Sequence, residues 1–244
     1  MRLGRNLFLA LLFVLCAAAD VVAHDETSFD KRRATPGVKL ELVPLGGARD
    51  ATVSYQARAT GAPRDVEFEV WARDWRSPSS TEIASGVRID DAGRLVSTGQ
   101  GDRPQPKGVI TLSPGAYPRG APWEIVLASA DRKITAFALV VPRPIRGASG
   151  ACVVSLQIAS PRADRFLALA TGFPPGDDVL IESRSAGRVT TRRLRASPAG
   201  ELPPDLITHA PSSDAERGAR YSAKGRSCEV ALDYRWGEPA LLPR

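Results

Sequence analysis

The two histidines are the side chains with the most distinctive chemistry in this chain of 244 residues. If an export signal is cut directly before His24, the new N-terminal amine, the His24 imidazole and the His209 imidazole offer three nitrogen donors. Such a donor set suits Cu(II), so a copper-binding histidine brace is one hypothesis. However, His24 opens a charged segment without strand character, and His209 lies in a Pro/Ser-rich stretch that is typical of a solvated loop.

A cluster of arginines is the second candidate site. Its members are Arg184, Arg188, Arg192, Arg193 and Arg195. Guanidinium groups bind phosphate or carboxylate in bidentate geometry, so the cluster could recognise an anionic envelope polymer. Alternation along a strand would place Arg188 and Arg192 on one face and the last two arginines on the other. The alternative interpretation is that these charges protect an edge strand from aggregation.

Two pairs of adjacent aspartates and one tryptophan complete the candidate chemistry. The pairs Asp90-Asp91 and Asp177-Asp178 lie beside turn glycines. Adjacent strand residues point to opposite faces, so neither pair can form a glycosidase couple alone, and a turn role is predicted. Trp75, in a polar segment, is a candidate exposed aromatic for stacking on a sugar or peptide.

Motifs for common enzyme classes are missing from the sequence. It has no Gly-rich phosphate loop, no nucleophile-elbow serine, no HExxH and no CxxC. Two histidines also make most hydrolase and metalloenzyme sites hard to build. We therefore predict no catalytic residue and no cofactor, with a hydrolase whose carboxylates converge only in the fold as a further alternative.

The start of the chain has the pattern of a secretory signal peptide. Arg2 and Arg5 precede the apolar run Leu7–Ala19, which is followed by small residues. This run is shorter than the roughly 20 residues of a membrane-spanning helix, so no integral membrane span is expected in the mature chain. The signal is assigned to residues 1–23, although cleavage after Ala19 also fits. The mature protein is expected in the periplasm or outside the cell.

Cysteine usage agrees with export. Cys16 would leave with the signal, and Cys152 and Cys228 would remain as an even pair. An exported chain with two cysteines is expected to form one disulfide. The alternative, a catalytic thiol, would need a partner histidine.

The rest of the sequence predicts an all-β protein. Residues 24–37 are polar and aperiodic, which indicates a flexible leader. Beyond it, short runs rich in Val, Ile, Leu, Phe and Tyr end at Gly, Pro, Asp or Ser, a pattern typical of β-sandwiches and barrels. Pro142–Gly150 interrupts the pattern and is interpreted as a linker. We predict two tandem Ig-like β-sandwiches, over residues 38–145 and 146–244, with the disulfide in the second.

One turn carries a resemblance to a known family. The run Thr171–Gly176 (TGFPPG) lies between apolar strands, and Ser183–Gly187 forms the next turn. It resembles the turn of bacterial extracytoplasmic Ig-like and IPT/TIG-like modules. Cys228 and Trp236-Gly237 are similar to the end of uncharacterised bacterial secreted proteins. The resemblance covers about residues 165–237, implies a sandwich module and supplies no activity.

These observations favour an exported, non-enzymatic binding or structural module of the bacterial periplasm or cell envelope. Its expected partner is an envelope polymer or protein, and not nucleic acid, because export removes the chain from the cytoplasm. The alternative is an exported enzyme, either a copper redox protein that uses His24 and His209 or the hydrolase considered above.

Overall fold

The structure is a computed structural model that describes residues 28–46, 53–77, 79–210 and 217–242. The predicted signal peptide and His24 lie outside these ranges. Within them, the chain forms seventeen strands, all paired antiparallel within their sheets, a 3-10 turn at Lys31–Arg33 and one short helix. The prediction of an all-β sandwich fold is confirmed.

The elements follow one another in short succession. In chain order they are β1 Lys39–Pro44, β2 Tyr55–Thr60, β3 Phe68–Asp74, β4 Ser80–Ile89, β5 Leu95–Ser97, β6 Gly108–Val109, β7 Thr111–Leu112, β8 Trp123–Ser129, β9 Thr135–Val140, β10 Ile145–Ser149, β11 Cys152–Ile158, β12 Arg165–Thr171, β13 Asp178–Ser185, β14 Arg188–Arg195, β15 Asp205–Thr208, β16 Gly218–Lys224, β17 Glu229–Arg235 and α1 Glu238–Leu241.

The first nine strands form two sheets. One has six strands in the order β6-β5-β4-β3-β8-β9, and the other has three in the order β1-β2-β7. Leu40 and Leu42 of β1 and Ile125 and Leu127 of β8 belong to the same buried cluster. Every residue of β8 is buried, as expected for a strand that is covered on both faces.

The last eight strands also form two sheets, in the orders β10-β11-β12-β15 and β14-β13-β16-β17. Along β11, buried and half-buried residues alternate, and its buried face includes Val154 and Leu156. These residues join Ile181 of β13 and Val230 of β17 in the core. Alternation with period two therefore defines the inner face of each sheet.

One side of this second pair of sheets is closed. Strand β10 packs beside β17, and a Cβ on Gly147 would lie 3.2 Å from the Ala231 carbonyl oxygen. The predicted disulfide is confirmed between Cys152, at the start of β11, and Cys228, just before β17, with a Cα–Cα distance of 6.3 Å. The bridge joins the two sheets.

The segment interpreted as a linker differs from expectation, because Ile145–Ser149 is strand β10 and pairs with β11. Ile145 is buried, so the short run gains both a core contact and a ladder partner. Just before β8, Gly120 donates its N–H to the Arg143 carbonyl and accepts from the Ile158 N–H, each at 2.7 Å. Because one buried cluster includes residues of all four sheets, the division into two domains stays a prediction.

The described part of the predicted flexible leader, residues 28–37, is packed against the six-stranded sheet. Phe29 is buried in an edge-to-face contact with Trp71, with ring centroids 5.5 Å apart. Val126 and Ala128 of β8 complete this small apolar cluster on the sheet face opposite the main core. The leader covers apolar side chains that would otherwise face water, a role that its polar composition does not reveal.

Polar contacts hold the same segment. The Thr35 N–H donates to the Thr135 carbonyl at 2.8 Å, and the Thr135 N–H donates to the Thr35 hydroxyl at 2.9 Å. Lys31 forms an ion pair with the buried carboxylate of Glu124, which also contacts Arg73. Across the described ranges, no helix has the length and apolar character needed to cross a bilayer.

Candidate anion-binding site

The arginine cluster lies on a hairpin whose second strand is the edge of a sheet. Strand β14 pairs with β13 without a register shift, from Ser185 opposite Arg188 to Asp178 opposite Arg195. The two turn residues, Ala186 and Gly187, both have positive φ angles of 48° and 73°. This is the backbone that a two-residue hairpin turn requires, and glycine supplies half of it without strain.

Register places the arginines on two faces, as alternation predicts. Arg192 lies opposite the buried Ile181, so Arg192 and Arg188 share the face that looks toward the other sheet. Arg193 lies opposite Leu180, and it therefore shares the outer face of β14 with Arg195. Arg184, opposite Val189, also lies on the outer face.

Two arginines of the cluster have carboxylate partners. Arg184 pairs with Glu182, and this hydrogen bond raises the pKa of the arginine and lowers the pKa of the glutamate. Arg192 pairs with the buried carboxylate of Asp205. In the described part of the chain, the remaining three, Arg188, Arg193 and Arg195, are exposed and have no carboxylate partner. Their charge is available to a ligand.

A groove of about 690 Å³ lies between the edge strands β14 and β15. It is on the side opposite the packed edge strands β10 and β17. Polar side chains with hydrogen-bond donors line it: Ser183, Ser185, Arg188, Thr190, Arg192, Thr208 and His209. Within the described ranges, no acidic residue lines the groove, and the hydroxyl of Ser185 is buried without a hydrogen-bond partner. Positive charge with clustered donors stabilises bound phosphate or carboxylate groups.

A series of buried polar contacts fixes the position of Arg192 in the groove. Asp205 binds Arg192 with one oxygen and accepts from the Tyr221 hydroxyl with the other, at 3.0 Å. Tyr221 is almost fully buried, and this burial together with the charge of Asp205 raises the pKa of its hydroxyl. Tyr221 therefore stays protonated and donates. Arg192 is held in place before any ligand arrives.

His209 is buried at the end of this groove, in contrast to the solvated loop considered from the sequence. Its Nε2 is hydrogen-bonded to the Tyr234 hydroxyl at 3.0 Å, and its ring stacks on Trp236 with centroids 5.0 Å apart. Burial lowers the pKa of His209 to about 4, so the ring is neutral at neutral pH. No group of three or more metal-ligating side chains occurs within the described ranges. Since His24 lies outside those ranges, the histidine brace stays an untested hypothesis.

Trp75 is half-buried and packs against the main core. The guanidinium of Arg76 lies 5.4 Å from its ring centroid. Its indole borders a separate cavity of about 250 Å³, together with Glu124 and Gln157. The arginine already covers part of the aromatic surface that a sugar would need, and whether Trp75 binds a ligand stays a prediction.

The aspartate pairs have the turn roles predicted for them. Asp90 Oδ1 accepts from the backbone N–H groups of Ala92 at 2.9 Å and Arg94 at 2.8 Å, and the Arg94 bond lowers the Asp90 pKa. Asp177 is buried and accepts from Arg226, whereas Asp178 is exposed. In each pair, one carboxylate fixes a loop.

Sequence reasoning missed the groove itself. Ser183, Thr190 and Thr208 come from three strands, and they meet because β14 and β15 are edges on the same side of the two sheets. Strand order is not encoded in local periodicity, and the sequence therefore offers no signal that brings these residues together.

Comparisons with known proteins provide little beyond this geometry. No protein-family model matches the chain, and no curated protein is similar to it. A solved structure of trypsin-activated alpha-2-macroglobulin from Escherichia coli is 14% identical, with a TM-score of 0.25, over 82% of this chain and 16% of that one. The chicken interferon gamma receptor alpha chain is 9% identical, with a TM-score of 0.24, over 84% of this chain and 99% of that one. At these TM-scores, neither similarity supports a conclusion about this chain.

Proposed function

We propose that this protein is an exported, non-enzymatic binding module of the bacterial periplasm or cell envelope, and that it binds an anionic partner through β14 and the adjoining groove. The observation that carries the proposal is made within the described ranges: three exposed arginines have no carboxylate partner there, and they lie beside a groove that no described acidic residue lines. The signal-peptide pattern and the disulfide support export. The turn at Thr171–Gly176 supports an Ig-like module.

The geometry suits an extended anionic partner better than a single small anion. Arg188 points toward the groove, whereas Arg193 and Arg195 lie on the outer face, so one small ion cannot contact all three. A linear partner that follows the strand can present anionic groups to both faces. Arg192, already fixed by Asp205, adds a rigid donor at the middle of the strand.

The test is the binding of linear polyphosphate to the full mature chain, measured by fluorescence anisotropy across a range of salt concentrations. The triple variant R188Q/R193Q/R195Q removes the three unpaired charges. The control triple variant R58Q/R88Q/R162Q removes three exposed arginines elsewhere. We expect the first variant to bind about 10- to 100-fold more weakly with a shallower salt dependence, because fewer charge-assisted bonds form.

The control variant is expected to bind like the wild type. Equal losses in the two triple variants would show that affinity follows net charge alone, and this result would contradict a specific site. Binding that does not change with salt concentration would also contradict the proposal, because exposed charges are screened.

A further inference from the structure

Among the sheet edges in the described part of the chain, strand β14 is unusual because it is both long and exposed. Among the described strands, β6 has two residues and β15 has four, while β17 lies beside β10 and β9 lies beside β1. Strand β14 has eight residues, all exposed or half-buried. Proteins usually shorten or cover such an edge, because its unpaired backbone groups can pair with another strand.

The backbone of β14 is also regular enough to accept a further strand. It contains no proline and no bulge along its pairing with β13. A two-residue turn closes on a hydrogen-bonded pair, here Ser185 and Arg188. Hydrogen-bonded and non-hydrogen-bonded pairs then alternate, so the N–H and C=O groups of Val189, Thr191 and Arg193 point away from β13.

Resting on the proposed function, we propose that the partner is an acidic peptide segment of another protein that adds to the β14 edge as a further strand. Backbone hydrogen bonds would supply the pairing, and alternate side chains would supply the specificity. Strand β14 carries four arginines and no acid. A second copy of this chain would bring like charges together, whereas a strand with acids on both faces complements Arg188 and Arg192 inside and Arg193 and Arg195 outside.

The groove gives the added strand a place for its inner side chains. A strand beside β14 would lie over the space between β14 and β15 and cover the groove. There, the Ser185 hydroxyl and the Arg192 Nε are buried and have no hydrogen-bond partner in the described ranges. Acidic side chains that enter the groove would accept from both. An eight-residue partner would span about 27 Å, the length of β14.

Two fluorescent peptides test backbone pairing on the unaltered mature protein. The first is an eight-residue extended peptide of Glu, Thr and Val with Glu on both faces, and the second has the same sequence with alternate amides N-methylated. N-methylation keeps the charge and removes backbone donors. We expect at least tenfold weaker binding of the N-methylated peptide, and equal binding of the two would overturn strand addition.

Two variants of the protein also test whether the peptide pairs with the backbone of β14. Thr191 is exposed on the edge, and Thr191→Pro removes an outward N–H, which an edge strand tolerates. Thr191→Ala keeps that N–H and is the matched control. We expect Thr191→Pro to bind the acidic peptide at least tenfold more weakly than Thr191→Ala does. Peptide binding equal to that of Thr191→Ala would contradict the inference.

The outcomes separate this inference from the proposed function. If wild-type protein binds polyphosphate but not the acidic peptide, strand addition is wrong and anion binding stands. If it binds neither, both are wrong. If Thr191→Pro does not fold, the comparison of the two peptides on the wild type still decides the question.

Discussion

Two adjacent aspartates show how differently neighbouring residues can contribute to the fold. Asp177 is 1% exposed, and its two oxygens accept from the Arg226 backbone N–H at 2.9 Å and from the Arg226 Nε at 2.8 Å. The backbone hydrogen bond, followed by the side-chain bond, lowers the pKa of Asp177. Asp178 is exposed at the start of β13. Only the first carboxylate connects distant segments.

We therefore expect Asp177→Ala to lower the Tm by about 5 °C, because it removes the buried acceptor that holds the Arg226 backbone N–H and Nε. Asp178→Ala is the matched control and should change the Tm by less than about 2 °C. Differential scanning calorimetry measures both. Equal shifts for the two variants would mean that the Asp177 contacts contribute nothing to stability.

His209 makes stability depend on pH. Its pKa is about 4 in the folded protein, lowered from 6.5 by burial and only partly opposed by the charge of Asp164. The unfolded state therefore binds more protons than the folded state between pH 4 and 6.5, and the free energy of unfolding should fall as the pH is lowered through this range. A pKa shift of this size corresponds to a change of about 3 kcal/mol in the free energy of unfolding.

Urea denaturation at several pH values measures the effect. His209→Gln keeps a polar group near Tyr234 but cannot gain the proton, so its stability should vary less between pH 6.5 and 4. His24→Ala is the control, and it should keep the wild-type profile. If His209→Gln shows the wild-type profile, His209 is not the titrating group.

At the scale of elements, the disulfide lies on one side of the second pair of sheets, where the edge strands β10 and β17 pack together. The other side, between the edge strands β14 and β15, stays open; each side is called a seam below. It joins the starts of β11 and β17, which are separated by 76 residues in sequence. Cross-linking so distant a pair restricts the unfolded chain strongly. The open seam holds the groove and depends on other contacts, among them Arg192 with Asp205.

The double variant C152A/C228A is expected to lose about 2–4 kcal/mol of unfolding free energy while it keeps its affinity for polyphosphate, because the bridge lies on the opposite side from the groove. Urea denaturation and the anisotropy assay measure the two quantities. The wild-type mature chain, with its bridge intact, is the reference for both measurements. A loss of polyphosphate binding in the folded double variant would show that the two seams are coupled.

The hairpin of β13 and β14 marks what the sequence could predict at this scale. Alternation correctly separated Arg188 and Arg192 from the last two arginines, because side-chain direction along a strand is local. The pairing of Arg192 with Asp205 was not predictable, since it depends on which strands become edges on the same side. The local sequence pattern determines which face of a strand a side chain lies on. The order of the strands in the sheets determines which side chains become neighbours.

At the scale of the whole molecule, the all-β fold and the disulfide followed from composition, turn spacing and cysteine count. Two features did not follow. Ile145 lies in a run between Pro144 and Gly147 that looks like a linker, yet it is buried at the start of β10. Phe29 lies in a charged segment, yet it packs on Trp71. Each is a single apolar residue whose burial depends on a distant surface, and a window of local sequence cannot reveal such a surface.

The docked segment at residues 28–37 also has a consequence for the order of folding. Thr35 is hydrogen-bonded to Thr135, a hundred residues later in the chain, and Phe29 covers β3 and β8. During synthesis the segment appears before the strands, but the surface on which it packs is complete only after β9 has formed. Long-range contacts of this kind are slow to close. Residues 28–37 are therefore among the last parts of the first half to form their native contacts, although they are synthesised before all the strands.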